Sequence, residues 1–346
     1  MKISVGVPTY NGSRFLSECL ESICHQSISD FEVVVVDDGS SDETVDIAEE
    51  FASRDSRVRV VRNPLNLGLV GNWARCVELA RGDWIKFVFQ DDILEPECLR
   101  MMSECASRPL VFCRRRFLFE PGVSAATRAA YAGVPDPAQV FSGAVDITPA
   151  MLCKAVLAER KNVIRNFLGE PTAALIHRSI FERFGFFNRD IRQIVDVEYW
   201  LRVGVHVGAA YTDRCLATFR VHGSSASAGN LSADNDERVS IFDNLLLLHE
   251  FCYSPHFGPL RDEARKCRPP RDYRRELSEY AEWVGSRAAA MAKPGPDSDR
   301  SWLDWWEQLS PRYPRLAEEN GQLPMALKRS WRRHFGWRFN RGGDAS

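Results

Sequence analysis

The chain lacks an apolar run long enough to cross a membrane as a helix, which requires about 20 residues. The strongest apolar segment, IFDNLLLL (Ile241 to Leu248), is short and contains an aspartate and an asparagine. The opening sequence MKISVGVPTYN leads straight into a short strand, so we expect no signal peptide. The sequence therefore predicts a soluble protein, with the cytoplasm as its expected compartment.

Paired cysteines and a dominant charge are also missing. The ten cysteines occur singly, without a C-x-x-C motif or the Cys/His spacing of a zinc site. This pattern favours reduced thiols in the cytoplasm over a disulfide framework. The 45 Lys and Arg residues nearly balance 47 Asp and Glu, so the overall charge predicts no nucleic-acid partner.

The dinucleotide-binding fingerprint G-x-G-x-x-G does not follow the first strand, which continues instead into Pro8, Thr9 and Tyr10. This absence weighs against a nucleotide-dependent oxidoreductase. Asn11 and Gly12 complete a turn whose polar groups would face a ligand at the sheet edge. The alternative is an ordinary turn between a strand and a helix.

Apolar strands alternate with amphipathic helices over the first ~115 residues, which is typical of a parallel sheet with helices on both faces. The predicted strands are 3–7, 31–36, 58–61, 84–89 and 110–113, and the helices are 15–26, 42–53, 69–80 and 97–107. After an irregular region (120–145), we predict a strand at 173–176, helices at 178–184 and 197–205, and a strand at 209–219. A polar loop after Gly223 precedes a mainly helical remainder, predicted as a separate region at 235–346.

Two pairs of acidic residues follow buried strands. Asp37 and Asp38 end the run VVVV, and a capping box of Ser40 and Glu43 predicts an immediate helix start. Carboxyl ends of strands in open α/β sheets are where ligands bind, so Asp38 is a candidate contact for a base N–H or a ribose hydroxyl. Helix capping is the alternative role for this pair.

Asp91 and Asp92 follow the strand WIKFVF, and adjacent carboxylates repel unless a cation or hydrogen-bond donors compensate. A divalent metal at this position would neutralise a nucleotide diphosphate as a leaving group. A solvated turn before the helix start at Glu95-Pro96 is the alternative.

Five segments in register resemble family 2 glycosyltransferases of the GT-A fold: PTYNG, VVVVDDGSSDET, NPLNLGLVGNW, ARGDWIKFVFQDD and VDVEYWLRV. The resemblance covers roughly residues 1–226 and implies a Rossmann-like, mostly parallel sheet flanked by helices, with a C-terminal helical extension. Residues 1–115 would form the nucleotide-sugar half and 116–226 the acceptor half.

The resemblance also implies roles for individual residues. The nucleotide-sugar contacts would be Pro8, Thr9, Tyr10, Asn11, Asp38, Asn72 and Asp91. Asp92 and His222 would hold a divalent metal, although Gln90 replaces the first acid of a strict D-x-D motif. A shell of carboxylate, imidazole and diphosphate would suit Mn²⁺ at least as well as Mg²⁺.

Asp196 lies where the family places its catalytic base, with Glu198 as a second candidate. We expect Asp196 to be ionised and exposed near a helix N-terminus, because the helix dipole favours the charged form; plain helix capping is the alternative. One base without a covalent nucleophile implies a single displacement with inversion. Glu170, Arg192 and Glu198 are weaker candidates for acceptor contacts.

The expected reaction moves a sugar from a UDP- or dTDP-sugar to a hydroxyl of a glycan, glycolipid or small molecule, as in polysaccharide biosynthesis. A non-catalytic sugar-nucleotide binder or assembly protein with the same fold is the alternative. The basic, aromatic segment KRSWRRHFGWRF (Lys328 to Phe339) would dock as an amphipathic helix, or rest peripherally on the inner face of a membrane. Binding of nucleic acid is the third alternative, although no recognised nucleic-acid motif accompanies the segment. A homo-oligomer is compatible with the sequence.

Overall fold

The computed structural model describes residues 2–159, 165–225, 236–291 and 306–319. The chain divides into two compact units, Met1–Ser232 and Ala233–Ser346. The first unit contains every strand of the described residues and is built around one nine-stranded sheet.

The strands of the first unit are β1 Ile3–Thr9, β2 Phe31–Asp37, β3 Val58–Arg62, β4 Trp84–Phe87, β5 Ile93–Leu94, β6 Leu110–Phe119, β7 Asp146–Ile147, β8 Ala174–His177 and β9 Ala209–Val221. Its helices are α1 Ser13–Cys24, α2 Thr44–Arg54, α3 Gly68–Leu79, α4 Cys98–Glu104, α5 Ala125–Ala132, α6 Pro137–Val140, α7 Pro149–Ala158, α8 Ser179–Phe184 and α9 Val195–Val207. A 3₁₀ turn, Pro171–Ala173, precedes β8.

The strand order is β3-β2-β1-β4-β8-β6-β9-β5, with β7 also paired to β9. The first four strands are parallel, β8 runs antiparallel to both neighbours, and β6 and β9 are parallel to each other. Two antiparallel pairings in succession restore the direction of β4 in β6 and β9. The carboxyl ends of β1, β2, β4, β6 and β9 therefore meet at one edge of the sheet.

The run Val33 to Val36 in β2 is fully buried, which confirms the prediction of a strand covered on both faces. The structure extends two predicted strands: β6 continues through Arg114–Arg116 to Phe119, and β9 continues to Val221. Cross-strand pairing between these two strands stabilises a polar run that has little strand propensity by itself. The region expected to be irregular (120–145) contains the short helices α5 and α6.

The second unit is helical in its described residues. Its helices are α10 Asp236–Tyr253, α11 Gly258–Lys266, α12 Tyr273–Met291 and α13 Pro314–Glu319, and a 3₁₀ turn, Pro255–Phe257, separates α10 from α11. Helix α10 contains a buried leucine cluster, Leu245 to Leu248, and packs against α12. The apolar segment identified in the sequence is therefore a stretch of helix that is buried on all sides.

Candidate active site

The loop between β3 and α3 closes around the Asp38 carboxylate. Asp38 is buried at the end of β2 and accepts hydrogen bonds from the Asn63 side chain (2.8 Å) and from the backbone N–H groups of Leu67 (2.8 Å) and Gly68 (2.9 Å). An ionised carboxylate offers about four acceptor positions. Three protein donors leave one position for the nucleoside contact that the sequence predicts. The same three hydrogen bonds hold the loop in place around Asp38.

Asp37 caps its own turn. Its carboxylate accepts from the backbone N–H groups of Gly39 (3.1 Å) and Ser40 (3.0 Å) and from the Ser40 hydroxyl (2.5 Å). Helix α2 begins only at Thr44, and Glu43 at its N-cap makes no capping hydrogen bond through its side chain. The predicted capping box of Ser40 and Glu43 is therefore wrong, because the helix begins later and the Ser40 oxygen accepts from the Asn11 N–H (2.9 Å) instead of from a helix N–H.

Gln90 joins the turns that follow β1 and β4. Its side-chain oxygen accepts from the Tyr10 N–H (2.9 Å), and its Nε2 donates to the Tyr10 carbonyl (3.1 Å). A Cβ added at Gly12 would lie 2.1 Å from the Gln90 Oε1, which explains the glycine. A carboxamide supplies both a donor and an acceptor, which an ionised aspartate does not, so the glutamine that departs from D-x-D serves this clamp. The Tyr10 side chain remains 52% exposed at the edge of the site.

Other predicted nucleotide contacts lie deeper in the sheet edge. The Thr9 hydroxyl is buried and donates to Asp37 (3.2 Å). The Asn72 side chain is also buried and donates to the carbonyl of Val36 (3.0 Å). Asn11 adopts a positive φ of 47° and accepts from the Ser41 N–H (2.8 Å), which ties the β1 turn to the β2 turn. These contacts shape the turns around Asp38.

The two members of the second acidic pair, Asp91 and Asp92, have different partners. Asp91 Oδ2 lies 2.9 Å from His222 Nε2. Asp92 is fully buried; one oxygen accepts from the Thr172 hydroxyl (2.5 Å) and the other from the Arg220 N–H (3.0 Å). Burial, and then the charge of Asp91, raises the pKa of Asp92 well above its usual range. The structure thus brings His222 next to Asp91, with Asp92 directly behind it in sequence.

This donor set fits a divalent cation. Mn²⁺ accepts carboxylate and imidazole ligands, and here the two groups are in contact. The second carboxylate beside them resists ionisation unless a positive charge compensates. The described residues hold no group of three or more His, Cys, Asp and Glu side chains that could bind a metal. Further ligands would therefore come from the diphosphate of the donor and from water.

Arg220 supports the acidic pair, a role that the sequence alone does not predict. Its guanidinium donates to the Asp91 carbonyl (2.9 Å), forms ion pairs with Glu120 (2.6 Å) and Glu18, and lies over the Phe15 ring. The same ring contacts the imidazole of His222, with 4.7 Å between centroids. Its position two residues before His222 was the only sequence signal.

Asp196 occupies the first turn of α9, and its surroundings contradict the expectation of an exposed, ionised carboxylate. It is only 9% exposed and accepts a hydrogen bond from the Asn166 side chain (2.7 Å). Burial, followed by the negative charge of Glu170, raises the pKa of Asp196 to about 7. The hydrogen bond from the Val197 N–H and the charge of Arg115 lower this pKa but do not compensate. Desolvation therefore outweighs the helix terminus.

One short segment, residues 166–172, contacts both Asp196 and the acidic pair. We call it the bridging segment. Asn166 binds Asp196 at one end, and the Thr172 hydroxyl binds Asp92 at the other. Glu170, between them, forms an ion pair with the buried Arg115. The carbonyl of Thr172 also accepts from the buried Lys86 ammonium, which fixes the segment to β4.

The remaining predicted residues lie apart from this arrangement. Glu198 is buried and accepts two hydrogen bonds from Arg202 (2.8 and 3.1 Å), so its carboxylate serves an ion pair within α9. Arg192 is exposed. Lys328 to Phe339 lies outside the described residues. Among the helices in the part of the chain that the structure describes, none has the length and apolar character needed to span a membrane.

Solved structures share this architecture. TarS 1–349 of S. aureus in complex with UDP-GlcNAc aligns with 96% of this chain and 92% of its own, at 17% identity and a TM-score of 0.53. The mannosyltransferase PcManGT of Pyrobaculum calidifontis, in complex with GDP-Man and Mn²⁺, aligns with 98% of this chain and 88% of its own, at 18% identity and a TM-score of 0.53. The GT-A-type fold predicted from the sequence is confirmed.

Sequence relatives agree with the fold. The uncharacterized protein MT1568 of Mycobacterium tuberculosis is 34% identical over 236 residues, which are 63% of this chain and 71% of that protein. The chain spans about a third of the length of the next curated relatives, which carry glycosyltransferase names. Residues 4–184 match the family model described as "Glycosyl transferase family 2". Since this match covers more than half of the chain, the protein belongs to glycosyl transferase family 2 and is a glycosyltransferase.

Proposed function

We propose that this chain transfers a sugar from a UDP- or dTDP-sugar to a hydroxyl of a glycan, glycolipid or small molecule, by a single displacement that inverts the anomeric carbon. The observation that carries the proposal is the bridging segment, which ties a carboxylate with a pKa of about 7 to an acidic pair beside a histidine. Residues 1–226 would form the catalytic domain, and the helices from 235 onward an accessory region.

The donor would lie over the turns that follow β1 and β2. Asp38 would accept from the base or ribose, and the exposed Tyr10 ring would cover the nucleoside. The UDP and GDP complexes of the structural neighbours support a nucleotide diphosphate donor as a class. We propose uracil or thymine: the carboxylate of Asp38 is an acceptor that suits the ring N–H of these bases, as it would suit that of guanine, but not cytosine, whose ring N3 is itself an acceptor.

Asp91 and His222, which are in contact, would hold the divalent metal, and the charge of the buried Asp92 next to Asp91 would support it. When bound, the metal would neutralise the charge that develops on the departing diphosphate. Arg220 would keep both aspartates in place through its backbone N–H and its guanidinium. The Phe15 ring would limit the movement of the imidazole.

Asp196 would take the proton from the acceptor hydroxyl as that oxygen attacks the anomeric carbon. A base is most effective when its pKa lies near the working pH, and a value of about 7 meets this condition. Glu198 is already engaged by Arg202, which supports Asp196 over Glu198 as the base. Glu170 would act through Asp196 more than through the acceptor.

The test is nucleotide release from UDP-, dTDP-, GDP- and CDP-sugars, with and without Mn²⁺, in the presence of a panel of hydroxyl acceptors. We expect metal-dependent turnover with a uridine or thymidine donor. Asp196→Asn should lower kcat by about 10²–10⁴-fold, which is the usual contribution of a general base. Asp91→Asn and Asp92→Asn should instead raise the Mn²⁺ concentration required for half-maximal rate.

The matched control is Asp213→Asn, because Asp213 is exposed and its carboxylate has no place in the proposed machinery. Its kcat and its Mn²⁺ requirement should equal those of the wild type. Binding of a donor without turnover, with any acceptor and with the metal present, would support the non-catalytic alternative. A preference for a GDP-sugar would keep the reaction and correct the donor.

A further inference from the structure

Three residues act on the Asp196 carboxylate: Asn166 through a hydrogen bond, and Glu170 and Arg115 through their charges. Asn166 donates from Nδ2 to Asp196 Oδ2 at 2.7 Å. Arg115 donates to the Asn166 carbonyl at 3.0 Å and forms an ion pair with Glu170. These contacts form a chain that runs from Asp196 through Asn166 and Arg115 to Glu170.

The three neighbours are themselves fixed. Asn166 Oδ1 accepts from the Gly169 N–H at 2.9 Å, so its amide orientation is determined, with Nδ2 toward Asp196. Trp200, one turn along α9 from Asp196, donates from its indole to the Gly169 carbonyl at 2.8 Å. The Arg115 side chain is only 3% exposed and that of Glu170 is 14% exposed. A buried ion pair of this kind contributes little net stability, which favours a functional reason for it.

We propose that Asn166, Arg115 and Glu170 are positioning residues that orient the Asp196 carboxylate toward the acceptor hydroxyl and set the pH range in which it accepts a proton. This inference rests on the proposed role of Asp196 as the base. The geometry divides the roles: Asn166 holds the carboxylate, and the two charges act on it in opposite directions. Glu170 disfavours the ionised form, while Arg115 favours it.

In the part of the chain that the structure describes, the charged groups around Asp196 come from three elements. Glu170 lies on the bridging segment, Arg115 on β6, and the Glu198–Arg202 ion pair lies further along α9 itself. Asp92 lies beyond Glu170, at the other end of the bridging segment. The Glu198–Arg202 pair neutralises itself, so among the described residues Glu170 and Arg115 are the charges that act on the base.

The central experiment is the pH dependence of kcat in two charge-removing variants. Glu170→Gln leaves Arg115 as the unopposed charge, so the acid limb of the profile should move down by about one pH unit. Arg115→Gln leaves Glu170 unopposed, so the limb should move up by a similar amount. Opposite shifts from the two halves of one ion pair are the expected result, because loss of structure alone would move both variants in the same direction.

Asn166→Ala tests orientation separately. We expect kcat to fall about 10- to 100-fold at all pH values, including those well above the limb, because a misaligned base remains slow even when ionised. The KM for the donor should not change, since Asn166 does not contact the acidic pair. Glu97→Gln is the control for removing one half of an ion pair, because Glu97 pairs with Arg100 on the exposed face of α4.

A readout independent of turnover guards against misfolded variants. The difference in unfolding free energy between each variant and the same variant with Asp196→Asn, measured against pH, reports the pKa of Asp196 directly. Shifts in this titration without any shift in the rate profile would overturn the proposal while leaving the transferase activity intact. A wild-type protein that transfers no sugar would instead overturn the proposed function, and the inference with it.

Discussion

At the scale of single residues, the Asp196 carboxyl is subject to opposing influences whose balance changes protein stability. Its folded-state pKa of about 7 lies above the ordinary value of 3.8. Between these two values the folded protein retains a proton that the unfolded chain releases. The free energy of unfolding contributed by this group therefore decreases as the pH rises from about 4 to about 7.

Asp196→Asn removes this penalty. Above pH 7 we expect the variant to be more stable than the wild type, by up to about 4 kcal/mol from the conversion of a pKa difference to free energy. Near pH 4 the two proteins should be equal. Urea unfolding at a series of pH values measures this difference, and a constant difference at all pH values would contradict the argument.

The control has the opposite sign. Arg108 lowers the pKa of Asp146 through a side-chain hydrogen bond, so the ionised carboxylate adds stability above the ordinary pKa. Asp146→Asn should therefore make the protein less stable at neutral pH and leave it unchanged in acid.

Gln90 offers a second test at this scale. Gln90→Glu keeps the acceptor for the Tyr10 N–H but loses the donor to the Tyr10 carbonyl, and it places a third carboxylate beside Asp91 and Asp92. We expect a loss of about 1 kcal/mol in the free energy of unfolding without metal, from one missing hydrogen bond. The loss should diminish in Mn²⁺. Gln139→Glu, in the exposed capping box of α6, is a control that should not respond to Mn²⁺.

The sequence could predict which residues stand at strand and helix ends, but it could not predict all of their partners. Asp38, Asp91 and Asp196 were found from the elements that precede or contain them. Asn166 lies 30 residues from Asp196, and Arg220 lies 129 residues from Asp91. Contacts over such separations depend on tertiary structure, which no local pattern encodes. The desolvation that raises the pKa of Asp196 has the same origin.

At the scale of secondary structure, α9 is held by a buried ion pair between Glu198 and Arg202. The sequence predicts Glu198 as a site residue but does not identify Arg202. Glu198 accepts from Arg202 one turn later. Arg202 also donates to the carbonyl of Phe184, the last residue of α8, and to that of Phe186 just beyond it. The pair therefore fixes the helix that carries Asp196. Helical spacing alone places residues 198 and 202 on one face, but it does not reveal that this face is buried.

Glu198→Ala should reduce the free energy of unfolding by about 3–5 kcal/mol, because it leaves the Arg202 guanidinium buried without its counter-ion. The change is measured by urea unfolding at pH 7. Glu97→Ala removes an exposed ion pair and should leave stability essentially unchanged. Equal effects from both variants would mean that burial of Glu198 has no energetic consequence.

Strand extension shows a limit of the same kind. The three arginines from Arg114 to Arg116 interrupt the apolar pattern, so the predicted strand ended at Cys113. In the folded protein Arg115 turns inward to Glu170 while Arg114 and Arg116 are exposed, which is a regular alternation. A buried charge with a partner cannot be distinguished from an exposed one by hydropathy.

At the scale of the whole molecule, ligand binding should raise the stability of the folded chain. A nucleotide at 100 times its Kd contributes about 2.7 kcal/mol. We expect UDP or dTDP to raise Tm with Mn²⁺ present and to have little effect without it. Asp92→Asn should remove the metal-dependent part. Asp213→Asn should retain it.

These Tm shifts test two proposals: the preference for uracil or thymine, and the binding of the donor at the sheet edge. A shift with GDP in place of UDP or dTDP would contradict the base preference argued from Asp38. No shift with any of four nucleotides, in Mn²⁺, would contradict donor binding at the sheet edge altogether.

The bridging segment has a consequence for engineering. Loop exchange between related enzymes is a natural route to a new acceptor, and residues 166–172 lie where such an exchange would be attempted. A transplanted loop would have to bring its own partners for Lys86 in β4 and Arg115 in β6. Changes of acceptor are therefore better sought by substitution outside these residues, where the alignment of the two sites is not disturbed.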